Sequence, residues 1–467
     1  MSSSPASSAA VTITRRPAGQ PPVLSLGQQR LWYLDQLSPG SAAYNIAMAM
    51  RMEGNPDLKA LKRALDAIVA RHEVLRTVYL SSQGRPLPVV LRKFSVELKE
   101  IDLRHLPAEE KHEAGWRAAS EEATRPFNLG RDVLLRAAVI RLTESEGIFL
   151  HASTHIAFEG TSIGIFYREL DHFYDAFTSG REPSLPELPL QYSDFALWQR
   201  ERLVGERLEQ LTAYWREQLS GAAVLNLSTD FPRPALHTMT GKRHFFVLPP
   251  RVVAAMNQFF TENKTSPYRG LCAVFVVLMH AYTRATDISV GSPFALQRVT
   301  GIEDLIGFFV NTVVIRTSVG GGDTFREMMH RVSDVVRGAI QHSDLTFDKI
   351  VDAVRPPRDP SRTPLFQLNF RAPKAPYPVL HLKDVEFSPL KYIDNGTSKF
   401  DLALEIESSK GEHCYFEYRT DLFKESTIAQ MVTDFEKLLD AVVAQPDIPI
   451  SQLAAFSEVR AGQARKE

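Results

Sequence analysis

The stretch LHASTHIAFEGTSIG, from Leu150 to Gly164, holds two histidines, two serines and a carboxylate. Three chemistries use such groups. Two histidines with a third ligand hold zinc. A serine backed by a histidine and an acid forms a covalent acyl intermediate. A lone imidazole at a loop takes a proton from an attacking group, or aims that group. The first two find little support. His151 and His155 lie four apart, but no third ligand follows nearby, and Cys272 and Cys414 form no CxxC. No GxSxG elbow occurs, so neither Ser153 nor Ser162 is marked as a nucleophile. No GxxxxGK[ST] loop or convincing dinucleotide fingerprint points to nucleotide chemistry. His155 is then either a proton acceptor or a hydrogen-bonded structural histidine. The local sequence leaves both open.

The flanking elements fix where these groups stand. DVLLRAAVIRL, TESEG and IFLHAST read as strand, turn and strand, so His155 falls at a strand end. After Gly160, Ile163, Phe166, Leu170, Phe173 and Phe177 recur at three- and four-residue spacing, which predicts an amphipathic helix. Glu159 then sits at the helix start, where a carboxylate meets unpaired N–H groups and the positive end of the helix. Gly160 lets the backbone turn sharply or approach a ligand closely. Arg298, in SPFALQR, is either a solvated loop cation or a buried partner for Glu159.

Elsewhere NPDLKALKRALDAIVARH predicts a helix with Asn55 as its cap and Pro56 in its first turn. VLRTVYL and PLPVVLR read as strands. SPYRGLCAVFVVLMHAYTRAT reads as a buried helix, and FDLALEIE alternates with period two. Helices and strands alternate in both halves, which predicts an α/β protein of two similar lobes divided near residues 180–190. The Ser-, Ala- and Pro-rich residues 1–21 read as a disordered tail or docking segment.

The 467 residues exceed one ordinary core. The 54 basic and 55 acidic residues give a formal net charge of −1, so nothing argues for nucleic acid. No apolar run is long enough to span a membrane, and the N-terminus lacks a secretory signal. Two cysteines far apart argue against a disulfide framework. The expectation is a cytoplasmic monomer.

Several separated stretches appear in a telling order: SLGQQRLWYLDQL, RHEVLRT, STHIAFEG, QYSDFALWQR, YWREQL, DISVGSPFALQR, IGFFVNTVVIRT, HSDLTFDKIV, RDPSRTPLFQLNF and SKFDLAL. Together they resemble the successive core motifs of nonribosomal peptide synthetase condensation domains, from about Leu24 to about Leu453. YNI at Tyr44–Ile46, with RHEVLRT, resembles the subgroup that joins two L-configured units. The resemblance implies a chloramphenicol acetyltransferase-like fold: two α/β lobes in a V-shaped pseudo-dimer with a central substrate tunnel. Residues 22–185 would form the N-terminal lobe, 186–455 the C-terminal lobe, and 456–467 a C-terminal tail.

The family's active-site motif is HHxxxDG, and residues 154–160 here read THIAFEG. His155 matches the histidine to which the family's catalytic role belongs. Thr154 replaces the first histidine and Glu159 the aspartate. The family's aspartate is read as structural, paired with an arginine at the motif position of Arg298. Glu keeps the charge and adds about 1.5 Å of reach. The resemblance implies an acyltransferase that joins a carrier-protein-bound thioester to an amine, giving an amide, or to a hydroxyl, giving an ester. His155 would accept or orient the proton of the attacking group, and N–H groups from Gly160 onward would hold the oxyanion. Thr154 and Ser162 would contact substrate, with Ser162 near the thioester. No metal or bound cofactor is implied. Substrates arrive on the 4'-phosphopantetheine arms of donor and acceptor carrier proteins, and a small amine or alcohol is an alternative acceptor. The altered motif also fits a catalytically silent module that recruits tailoring enzymes or carrier proteins. The MSSSPASS start favours a freestanding chain over an excised domain.

Overall fold

A computed structural model describes residues 11–295, 299–373, 379–390, 393–407, 411 and 413–464. It divides into two compact units. One comprises the described residues of Met1–Val204, Ala295–Val310 and Tyr377–Asn395. The other comprises those of Gly205–Phe294, Asn311–Pro376 and Gly396–Glu467. The single cut expected after residue 185 therefore differs from the observed division. The helix Tyr192–Arg202 stays with the first unit because Tyr192, Phe195 and Ala196 enter its core.

The first unit is built on a six-stranded sheet in the order Leu380–Leu382, Val385–Pro389, Asn45–Gly54, Glu146–Thr154, Leu135–Arg141, Glu97–Asp102. Its predicted hairpin is present, with Val139 opposite Phe149 and Leu135 opposite Ser153. Asn45–Gly54 lies antiparallel to Glu146–Thr154, and Asn45 faces Thr154. The helix Leu58–Arg71 packs through Leu61, Ala64, Leu65 and Ile68. Its cap is Asp57, not Asn55: the Asp57 carboxylate accepts from the N–H groups of Lys59 and Ala60. The residues Val74–Arg76, read as strand, belong to a short 3-10 turn Glu73–Arg76, and the strand begins at Thr77.

The second unit holds another six-stranded sheet: Val310–Ser318, Asp287–Ala295, Leu368–Arg371, Leu402–Ile406, Cys414–Arg419, Gly241–Phe246. Leu402, Leu404 and Ile406 join the buried helix Pro267–Thr283 in one apolar core. That core also takes Cys272 and Cys414, whose thiols burial pushes up to about 12, leaving them unreactive.

Both expected tails are corrected in part. Residues 1–10 lie outside the described residues, but Val11–Thr12 pairs in parallel with Val299–Thr300. Arg15 donates to the carbonyls of Leu188 and Pro189, at 2.9 and 2.6 Å. At the other end a helix spans Ala454–Ala464 and buries Phe456 and Val459 in the second core. Apolar side chains that reach a core hold these ends down, where composition alone suggested otherwise.

Candidate active site

His155 stands one residue beyond the strand Glu146–Thr154 and five before the helix Gly160–Thr178. Its own N–H donates to the carbonyl of Tyr44 at 2.8 Å, which ties the strand end to the neighbouring chain segment. The imidazole is half-buried. Two aromatic rings meet it edge-on: Tyr44, with centroids 6.5 Å apart, and Phe308, at 5.8 Å.

His151 is a different kind of group. It is fully buried in the strand, bonds to the Tyr167 hydroxyl at 2.9 Å and packs against Phe166. Burial drives its pKa down to about 3, so it stays neutral. It is a core histidine. Among the described residues, no group of three histidine, cysteine, aspartate or glutamate side chains is arranged to hold a metal ion. Ser153 donates to the Leu134 carbonyl at 2.6 Å and is buried, so it is no nucleophile.

Thr154 is the last residue of the strand and is buried. Glu159 is the N-cap residue by position, but its side chain does not cap the helix. The carboxylate turns to the backbone of residues 309 and 310. Oε2 accepts from the N–H of Phe309 at 2.9 Å and of Val310 at 2.7 Å, and Oε1 accepts the Thr161 hydroxyl at 2.6 Å. Those bonds favour the charged form, yet burial outweighs them and pushes the pKa up to about 7. Arg298, the expected ion-pair partner, lies outside the described residues.

Ser162 is fully buried, and its hydroxyl is already engaged. It donates to the carbonyl of Gly307 and accepts from the same residue's N–H, both at 3.2 Å. These two bonds make Ser162 a backbone contact within the first unit. Gly160 does begin the helix, as the periodicity predicts. It has no positive φ, so a sharp turn is not its reason for being glycine. A Cβ built there meets nothing within 4 Å, so the space in front of the helix start is open. The Ser162 N–H donates back to the Glu159 carbonyl at 3.0 Å. Donors for an oxyanion therefore narrow to the N–H groups of Gly160 and Thr161.

Local spacing missed most of the support around His155. Gln28 donates to the Ile156 carbonyl, Tyr192 to the Phe308 carbonyl, and His72 accepts from the Ile306 N–H. Asn45, in YNI, donates to the carbonyls of Ala123 and Arg125 and so closes the end of the helix Ala108–Thr124. Each of these residues lies far from His155 in sequence. Their motifs were visible as ordered blocks, but nothing in spacing says which side chain reaches which backbone group.

The family profile described as "Condensation domain" matches residues 21–463. The chain is 41% identical over 433 residues to one of the linear gramicidin synthase proteins of Brevibacillus parabrevis, covering 92% of this chain and 6% of that protein. It is 35% identical over 455 residues to the phosphinothricin tripeptide synthetase PhsC of Streptomyces viridochromogenes, covering 95% of this chain and 41% of that one. The chain thus spans a minor part of these relatives' length. Among solved structures it is similar to the X-domain from teicoplanin biosynthesis, with a TM-score of 0.82, 25% identity, and coverage of 94% and 99%. It is also similar to the SgcC5 protein from Streptomyces globisporus, with a TM-score of 0.76, 25% identity, and coverage of 92% and 100%. The two helix-packed sheets are those of the chloramphenicol acetyltransferase-like fold. From the motif order, the two sheets and these matches together, the chain belongs to the condensation-domain family of nonribosomal peptide synthetases.

Proposed function

We propose that the chain is a condensation-type acyltransferase, and that His155 serves the nucleophile's proton. The acyl group arrives as a thioester on the phosphopantetheine arm of a donor carrier protein. An amine or hydroxyl attacks the thioester carbon, a C–N or C–O bond forms, and the C–S bond breaks. The proton lost by the nucleophile ends on the released thiol. His155 accepts that proton in passing or holds the nucleophile in line. The N–H groups of Gly160 and Thr161 face the developing oxyanion. Thr154 and Ser162 shape the ground beneath, and Glu159 anchors the helix start to residues 309 and 310. One observation carries this reading: a half-buried imidazole directly follows a buried strand end and precedes a helix start with open space before it.

The test mixes a donor-loaded carrier protein with a panel of carrier-bound and free amine or alcohol acceptors and follows product by mass spectrometry. His155→Ala should slow product formation by ~10²–10⁴-fold, the range for loss of a general base. An unchanged rate refutes the role of His155.

One observation favours a second reading. The similar X-domain from teicoplanin biosynthesis has been solved as a complex with OxyB. With Thr154 and Glu159 in the altered motif, a recruiting module for a tailoring enzyme is the alternative. No product from any donor and acceptor pair, together with a stable complex between this chain and a tailoring enzyme, would select it.

A further inference from the structure

The first turn of the helix Leu26–Leu37 touches the His155 region from two sides. Ser25 and Gln28 form a capping box: the Ser25 hydroxyl accepts the Gln28 N–H, and the Gln28 Oε1 accepts the Ser25 N–H, both at 3.1 Å. This fixes which end of the Gln28 amide is oxygen. Its Nε2 then donates to the Tyr79 hydroxyl at 2.8 Å and to the Ile156 carbonyl at 2.9 Å. The Ile156 carbonyl belongs to the peptide between residues 156 and 157, one residue beyond His155. The oxygen and both amide hydrogens of this buried side chain are engaged, so its orientation is set.

The second side runs through Tyr192. Its hydroxyl lies 2.7 Å from the Phe308 carbonyl and 2.8 Å from the Ser25 hydroxyl. A carbonyl only accepts, so Tyr192 donates to Phe308, and Ser25 donates to Tyr192. The chain Ser25–Tyr192–Phe308 is therefore directed. It holds the backbone of the residue whose ring meets the His155 imidazole at 5.8 Å. That ring also lies over Gly27. A Cβ on Gly27 would sit 2.8 Å from Phe308 Cε1, closer than a real contact allows, and 3.1 Å from Cδ1, so the ring must shift to admit it. Gly27 has an ordinary backbone, so its missing side chain serves this ring.

We propose that Gly27, Gln28 and Tyr192 are positioning residues for His155, which fix the imidazole through the Ile156 peptide and the Phe308 ring. The inference rests on the acyltransferase reading for its kinetic consequence, but its structural consequence is independent. Gln28 sets the backbone on one flank of the imidazole. Tyr192 and Gly27 set the aromatic ring that meets it. The same Phe308 ring thus meets both Gly27 and the His155 imidazole.

Two variants test this in the full chain. Tyr192→Phe keeps the buried ring and removes only the hydroxyl. Gly27→Ala adds one methyl under Phe308. Each is labelled with [13C-ε1]histidine, and the His155 resonance is assigned by its loss in His155→Ala. Because Phe308 stands edge-on to the imidazole, both variants should shift that resonance and leave the buried His151 signal in place. In the condensation assay kcat should fall about 10- to 100-fold with KM within about twofold, as expected when an oriented group is displaced by a fraction of an ångström to an ångström. An unmoved His155 signal in both variants overturns the proposal, whatever the activity. A shifted signal with an unchanged kcat also overturns it, since the position would then not matter. If the wild type makes no product, the acyltransferase reading fails separately, and the resonance alone decides whether these residues hold the ring.

Discussion

At the scale of single residues, Glu159 carries a pH signature that reaches the neutral range. Its carboxyl accepts two backbone N–H groups and a hydroxyl, yet burial raises its pKa from 4.5 to about 7. A group raised above its unfolded value contributes stability in full below the unfolded pKa and loses it as pH climbs through the folded one. At 1.36 kcal/mol per pKa unit, the change amounts to roughly 3 kcal/mol. Glu159→Gln removes the titration and keeps an oxygen for the two N–H donors. The stability of the wild type relative to this variant should therefore fall between about pH 4.5 and pH 7 and level off above. Urea unfolding at several pH values checks this. An ion pair with Arg298, which the family resemblance implies, requires the opposite slope, since it would hold the carboxyl below its ordinary range. Gly160 separates fold from function in the same way. Its side-chain space is empty, so Gly160→Ala should leave stability within about ±0.5 kcal/mol. A thioester that approaches this backbone would meet the new methyl, and product formation should drop by about tenfold or more. A rate equal to wild type argues against substrate at this helix start.

At the scale of elements, legibility followed the strength of the apolar pattern. The helix Gly160–Thr178 was readable because Ile163, Phe166, Leu170 and Phe173 are large and evenly spaced, and the structure buries all four. The helix Ala108–Thr124 was not. It buries Ala114, Gly115, Ala119 and Ala123, a small-residue face among many glutamates, so periodicity of large residues never appears. Gly115 is small for a reason: a Cβ there would lie 2.7 Å from Leu142. The strand Val385–Pro389 was equally hidden. It joins the first sheet beside Asn45–Gly54, more than 300 residues earlier, and no local signal encodes a pairing so distant. That pairing ends at Gly54, which has φ of +107° and faces the Asp384 carbonyl so closely that a Cβ would collide with it. Gly54→Ala meets both strain and backbone, and backbone cannot rotate away. It should cost about 1–3 kcal/mol and speed amide exchange in residues 380–389, with the pairing of Asn45–Gly54 to Glu146–Thr154 retained. Uniform exchange across the sheet would show that the strand is not separately anchored there.

At the scale of the whole molecule, the chain order does not follow the units. The first unit takes back residues 295–310 and 377–395 after the second has begun. Those returns carry more than length. Leu305, Ile306, Phe309, Leu380, Leu382, Val385 and Phe387 are buried in the first core. At roughly 1.5–3 kcal/mol for each buried side chain, they match the entire stability of an ordinary domain, about 5–15 kcal/mol. The returns also supply the polar partners of the site: the N–H groups on Glu159, both Gly307 bonds to Ser162, the Phe308 carbonyl on Tyr192 and the Ile306 N–H on His72. Removing one partner strands a buried group at about 1–3 kcal/mol each. A fragment of residues 1–204 contains His155 and every residue of the THIAFEG motif, so a motif-based view expects it to carry the site. The packing says otherwise. This fragment should give no cooperative thermal transition and no native near-ultraviolet circular dichroism, where the full chain gives both. A cooperative melt of residues 1–204 would show that the first core closes without the returning segments. It would also detach the geometry of His155 from Phe308, and with it the reason that residues more than 140 positions beyond the THIAFEG motif are needed to set one imidazole.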